Sequence, residues 1–124
     1  ELERRNKAYR QGKPAPMLEA HTVILVDDGC ATGANMKAAV QAVAKQHAAK
    51  IVVAVPVATD SAYEMLCSVA DQVVCLDIPE PFLGVGASYY DFSQTSDNEV
   101  KTLLKKAQYY IECNRKHMEV ANHD

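Results

Sequence analysis

At 124 residues and 48% hydrophobic, the chain is long enough for one domain with a real core. Its formal net charge of −3 gives no support to a nucleic-acid or membrane-surface partner. No apolar run nears the roughly 20 residues that span a bilayer, and the charged opening E-L-E-R-R-N-K-A-Y-R lacks a signal-peptide core. A cytoplasmic protein with no membrane partner is expected.

Residues 1–13 mix acidic and basic side chains and read as a short helix or a loop, a solvated arm ending at Gly12, Pro14 and Pro16. The chain starts at Glu1 rather than Met, as a fragment or processed product would. Val23–Val26 is a continuous apolar run, the pattern of a strand buried on both faces of a parallel sheet. Two aspartates, Asp27 and Asp28, close it. A small-residue turn follows, and Gly33 and Asn35 mark a helix start, with Met36, Val40, Val43 and His47 at helical spacing.

Ile51–Val57 is a second buried strand, ending where Pro56 limits pairing. Ser61 and Glu64 fit a capping box for a short helix that turns Met65, Leu66 and Val69 inward and ends near Ala70. Gln72–Leu76 is a third strand. Strand, helix, strand, helix, strand predicts an α/β fold: a parallel sheet with flanking helices. Pro79–Thr95 is irregular, yet holds Phe82, Tyr89, Tyr90 and Phe92 in a chain with only 6% aromatics. This group is read as local loop packing under the last helix or as a stacking surface. Ser96 and Glu99 fit a second capping box, opening a helix with Val100, Leu103, Leu104, Ala107 and Ile111 on one face. Residues from about Met118 are expected to fray. The resulting division is an arm at 1–16, an α/β domain at 17–117 and a tail at 118–124.

Cys30, Cys67, Cys75 and Cys113 form no C-x-x-C pair and read as reduced, mostly buried thiols. Their spacing does not suit a zinc site. The four histidines are scattered singly and receive no role.

The chemistry concentrates in Asp27-Asp28-Gly29-Cys30-Ala31-Thr32-Gly33. Gly29 and Gly33 let a ligand approach the backbone, and Thr32 adds a hydroxyl. The amides of Ala31, Thr32, Gly33, Ala34 and Asn35 lie at a helix N-terminus, where the dipole favours an anion such as a phosphate monoester. Hydrogen bonds to a charged group are worth roughly 1.5–3 kcal/mol each, so a few hold a phosphate. Two carboxylates beside an anion site are acceptors for sugar hydroxyls, or for Mg²⁺ with its waters. Phosphate on one side and vicinal hydroxyls on the other describe a ribose 5-phosphate. Asp-Asp after an apolar run also occurs in response-regulator receivers, but Pro56-Val57-Ala58-Thr59 offers no phosphoacceptor Asp at the end of the next strand.

V-I-L-V-D-D-G-C-A-T-G-A-N-M, from Val23 to Met36, resembles the phosphoribosyl diphosphate (PRPP) motif of type I phosphoribosyltransferases. The resemblance implies a phosphoribosyltransferase-like fold with about three strands of its core visible. It implies PRPP as the small-molecule partner, with Asp27 and Asp28 on the ribose hydroxyls and residues 31–35 on the 5-phosphate. Mg²⁺ would arrive with PRPP, near Asp27 and Asp28. Ala31 stands where hypoxanthine-type enzymes carry Asp and adenine-type enzymes carry Ala. Asn35 replaces the usual Thr or Ser.

I-P-E-P-F-L-G-V-G-A-S-Y-Y-D-F, from Ile78 to Phe92, is similar to the base-binding segment of purine phosphoribosyltransferases. By that likeness Phe82 stacks on a base, Leu83 contacts it through its backbone, and Tyr89 falls where an acidic residue stands, unless a short shift brings Asp91 there. No lysine near Ser61 reads a 6-oxo group. Across the whole chain the likeness is closer to uncharacterised bacterial phosphoribosyltransferase-type proteins with similar P-E-P-F and D-F-x-Q-T-S-D stretches, which name no substrate.

The family's chemistry is displacement of diphosphate from the anomeric carbon by a nitrogen nucleophile through an oxocarbenium-like transition state, which needs positioning and charge stabilisation more than one base. No catalytic residue is assigned. By resemblance, Arg4, Arg5, Arg10 and Lys13 belong to a loop that closes over diphosphate. Only about twenty residues precede the motif, so an upstream half of the family core is expected to be missing. The alternative expectation is a non-catalytic ribose-phosphate-binding fragment or assembly module. An incomplete sheet also predicts a homo-oligomer, joined at the open sheet edge or along the Val100–Ile111 helix face.

Overall fold

The computed structural model describes Arg4, Tyr9, Arg10 and Pro14–Ala121. The chain divides into two compact units. One is Pro16–Phe92, and the other joins the N-terminal residues to those from Ser93 onward.

The Pro16–Phe92 unit runs β1 (Thr22–Val26), α1 (Ala34–Ala44), β2 (Lys50–Val57), α2 (Asp60–Val69) and β3 (Gln72–Asp77), then a 3₁₀ turn at Val85–Ser88. The strands form a parallel sheet in the order β1-β2-β3. Register aligns one inward stripe: Val23 lies beside Ile51, Leu25 beside Val53, Val53 in turn beside Val73, and Val55 beside Cys75. Met36, Val40 and Val43 of α1 and Ala62 and Leu66 of α2 close over that stripe in a single core. Burying side chains such as Leu66, Val40 and Val53 contributes about 1.5–3 kcal/mol each.

The sheet departs from the expected burial on both faces. A 1-2-3 strand order advances in one direction, so two right-handed crossovers place both helices on the same side. The other face, which carries Ile24, Val26 and Leu76, is not covered by a helix of the Pro16–Phe92 unit. The strands are apolar on both sides, and the unit's own helices close one of them.

Three further expectations are corrected. Residue Thr59, not Ser61, caps α2: its hydroxyl oxygen accepts from the Ala62 N–H at 3.1 Å. The chain reaches Thr59 in extended conformation and turns helical at Asp60, one residue before the box would start. Secondly, α1 ends at Ala44, and His47 sits beyond it with a positive φ of 59°, exposed in the turn that leads to β2. Thirdly, Cys30 is the buried thiol, whereas Cys67 is exposed and Cys75 and Cys113 are half-buried. Pro56 does mark the end of β2: the ladder passes over it to one last pair, Val57 with Asp77.

In the other unit, α3 spans Asp97–Ala121. Ser96 Oγ accepts from the Glu99 N–H at 3.2 Å, which is the expected cap, and the Val100 N–H bonds the Ser96 carbonyl. The helix continues through residues 118–121, where fraying was expected. Its apolar face is present but exposed, with Leu103 at 60% and Ile111 at 58%. No described helix is long and apolar enough to cross a membrane.

Candidate functional site

Sheet geometry delivers the chain from Val26 into Asp27 and Asp28 at the carboxyl end of β1, the edge where open α/β sheets bind ligands. Both carboxylates are exposed. Asp27 Oδ1 accepts the Asp28 N–H at 2.8 Å, which folds the first side chain back over the turn. Partial burial, then the neighbouring Asp27 charge, holds the Asp28 carboxyl above the usual Asp value of 3.8.

The rest of the turn is anchored on β2 and the start of α2. The Cys30 N–H donates to the Val57 carbonyl at 3.0 Å, and the Thr59 N–H donates to the Cys30 carbonyl at 3.0 Å. Thr59 then gives its hydroxyl proton to the Ala31 carbonyl at 2.6 Å. One side chain therefore caps α2 and fixes the middle of the turn. Its signal in the sequence was a Thr directly before Asp60 at a helix start, where the Ser61 box was preferred instead.

Gly33 is the N-cap of α1 with φ 76°, a left-handed conformation that costs a side-chain-bearing residue roughly 1–2 kcal/mol. It is also packed: a Cβ there would stand 2.6 Å from Met65 Cε and 3.3 Å from Ala62 Cβ. Thr32 Oγ1 accepts from the Ala34 N–H at 3.3 Å, and the Gly33 carbonyl accepts the Lys37 N–H at 2.8 Å. The amides of Asn35 and Met36 lie in the first helical turn, where no intrahelical acceptor exists. Asp27, Gly29, Cys30, Thr32, Gly33, Ala34, Asn35 and Met36 line a cavity of about 80 Å³. That is far below the roughly 300–1,000 Å³ of a small-molecule pocket and suits one compact polar group.

Asp27 and residues 32–35 are thus brought together, with Ala31 beside them and Asp28 on the rim. Burial, followed by the charges of Asp27, Cys75 and Asp28, pushes the Cys30 thiol up from its usual value. Among the described residues no group of three or more His, Cys, Asp or Glu is arranged to hold a metal. The donor set for a cation is the Asp27–Asp28 pair, the kind of site at which Mg²⁺ keeps waters and shares ligand phosphates.

The aromatic loop reaches the turn in a way the sequence did not announce. Tyr89 donates its hydroxyl proton to the Asp28 carbonyl at 2.6 Å. Val85 covers Gly29 so closely that a Cβ on the glycine would stand 2.7 Å from Val85 Cγ1. Phe92 packs on Tyr89 with ring centroids 5.1 Å apart. Phe82 is half-buried and Leu83 is 78% exposed. Of the arm cations, Arg4 lies 2.8 Å from Asp97 Oδ2, and Tyr9 donates to Asp97 Oδ1 at 2.9 Å. These contacts hold the Asp97 carboxyl below the usual value, the Arg4 bond being the larger cause. Arg5 and Lys13 lie outside the described residues.

A parallel α/β layer whose first strand ends in paired carboxylates, followed by a helix start, belongs to the class of open-sheet domains that bind ligands at the carboxyl ends of their strands. The Phosphoribosyl transferase domain model matches residues 3–91, and the chain belongs to that family. It is 45% identical over 108 residues to "Putative phosphoribosyl transferase Rv0571c" of Mycobacterium tuberculosis H37Rv, and equally to its counterpart in strain CDC 1551. The alignment covers 86% of this chain and 24% of each relative. The crystal structure of TT1426 from Thermus thermophilus superposes with a TM-score of 0.76 at 43% identity, covering 83% of this chain and 49% of that one. The chain therefore spans about a quarter of these curated relatives and about half of the solved one.

Proposed function

We propose that this domain binds PRPP, with Asp27 and Asp28 accepting from the ribose hydroxyls and the amides of Ala31–Asn35 receiving the 5-phosphate. The observation that carries the reading is the pair of exposed carboxylates beside a small cavity at the N-terminus of α1. Carboxylates repel phosphate and accept hydroxyls, while helix-start amides do the reverse. Two neighbouring half-sites of opposite preference match the two ends of a ribose 5-phosphate. Mg²⁺, carried by PRPP near Asp27 and Asp28, would offset charge on the leaving diphosphate.

The reaction transfers the phosphoribosyl group to a nitrogen nucleophile, and a nucleobase is the acceptor class proposed for Phe82, Leu83 and Tyr89. A C–N bond forms at the anomeric carbon as the C–O bond to diphosphate breaks, and the nitrogen then loses its proton to solvent. The chain's own part is to hold the sugar by both ends, so that the anomeric carbon is fixed for in-line attack. A second reading, a ribose-phosphate-binding module without transfer, is favoured by the engagement of Arg4 with Asp97. Self-association through an open sheet edge or the Val100–Ile111 face of α3 belongs to the same proposal.

Calorimetric titration with PRPP and Mg²⁺ tests the site. Binding by the wild type and a loss of about 10- to 100-fold in Asp27→Asn and Asp28→Asn is expected, the scale of a hydrogen bond to a charged group. No binding by the wild type, or equal binding by the variants, refutes it. Binding without diphosphate release in the presence of any nucleobase favours the module.

A further inference from the structure

Two contacts join the loop after β3 to the carboxylate turn, and others brace the loop itself. Tyr89 hydroxyl holds the Asp28 carbonyl at 2.6 Å, across 61 residues of sequence. Val85 rests on Gly29, in space that exists only because the glycine lacks a Cβ. Phe92 lies against the Tyr89 ring, and its own ring fills the space over Gly86, where a Cβ would stand 2.8 Å from Cδ1. The Tyr89 N–H closes the 3₁₀ turn onto the Gly86 carbonyl at 3.2 Å. The tyrosine is thus fixed by its ring and its backbone, and only its hydroxyl reaches outward. Asp28 lies past the last β1–β2 ladder pair, Val26 with Ala54, so its carbonyl has left the sheet and takes the hydroxyl instead.

We propose that Tyr89 is a positioning residue: through the Asp28 carbonyl it joins the Val85–Phe92 loop to the carboxylate turn, so that the two open and close as one unit. The consequence for binding rests on the ribose-phosphate reading above. A sugar held by Asp27 and Asp28 orders the loop, and an acceptor seated on the loop orders the carboxylates by the same factor, since coupling between sites is reciprocal. Through the Asp28 carbonyl, Tyr89 then links the acceptor side to the sugar side.

Amide hydrogen exchange on the full chain tests this with Tyr89→Phe, which keeps the ring and its packing on Phe92. Exchange at Gly29, Cys30 and Tyr89 is expected to rise about 3- to 10-fold, the weight of one neutral hydrogen bond, while Val53 and Leu66 stay unchanged. Gly29→Ala displaces Val85 from the opposite side and is expected to raise exchange at Gly86 and Tyr89. Ribose 5-phosphate should protect the Tyr89 amide in the wild type and lose that effect in Tyr89→Phe. Unchanged exchange in the turn of Tyr89→Phe, or equal protection of the loop in both proteins, overturns the proposal. If exchange rises as expected but the wild type takes up no ribose 5-phosphate, the joint stands and the ribose-phosphate reading falls.

Discussion

Asp28 and Gly33 put different physics into the same turn. The Asp28 carboxyl is held above 3.8 by partial burial and by Asp27. In the proposed site the ionised carboxyl is the stronger acceptor for sugar hydroxyls, so affinity for ribose 5-phosphate should be full above that raised value and fall as acidification passes through it. The ligand's own phosphate titrates near pH 6, but equally with every variant. The ratio of wild-type to Asp28→Asn affinity, measured by titration at stepped pH, should therefore shrink toward unity at the acid end, and a flat ratio would remove Asp28 from the sugar. The folding consequence has the opposite sign. A raised native pKa favours folding fully below 3.8, and that gain is lost as pH rises through the native value; exposure of the carboxyl keeps it small. At Gly33 the issue is shape. Gly33→Ala meets both a positive φ and the Ala62 Cβ, and Met65 Cε can swing aside. A loss of about 1–2 kcal/mol in urea unfolding is expected. The requirement for glycine was legible from its place between Thr32 and a helix start. The contact with Met65 was not, because it depends on where α2 lies beside α1.

Among the elements, the strands and α1 follow from local pattern, and the corrections arise where a tertiary partner decides. Three apolar runs gave three strands with parallel pairing, and Met36, Val40 and Val43 were readable as the buried face of α1. The α2 cap went to Thr59 because that residue also reaches the Ala31 carbonyl, a partner 28 positions away that no local motif contains. Likewise the Tyr89 hydroxyl has its partner in the Asp28 carbonyl, 61 positions away, which no local pattern announces. Thr59→Val separates the element from the site. It keeps the branched shape and removes one hydroxyl that serves both α2 and the turn. Losing the cap costs about 0.5–2 kcal/mol, and the freed Ala31 carbonyl should loosen the phosphate half of the site. Urea unfolding should show the stability loss. Titration with inorganic phosphate should show weakened binding that Ser61→Ala, which leaves the cap in place, does not reproduce.

For the whole molecule, the governing feature is apolar surface that each unit leaves uncovered by its own residues. Ile24, Val26 and Leu76 share one face of the sheet, and α3 shows Leu103, Leu104 and Ile111 in a stripe. Scattered exposed apolar residues are ordinary in folded proteins, but contiguous faces of this kind mark contact surfaces. Periodicity revealed the helix stripe in advance. It read the strands as covered on both faces, because hydropathy reports what a strand is suited to meet and says nothing about whether the cover lies within the same 124 residues. The relatives are about two to four times the length matched here. The expected outcome in isolation is self-association, with an average mass by sedimentation equilibrium that rises with protein concentration. Leu103→Lys with Ile111→Lys should lower that mass if the α3 stripe is the contact, while leaving the urea midpoint nearly unchanged, since both residues are more than half exposed. If the double variant associates like the wild type, the contact passes to the sheet edge. A mass that stays monomeric at every concentration removes self-association altogether.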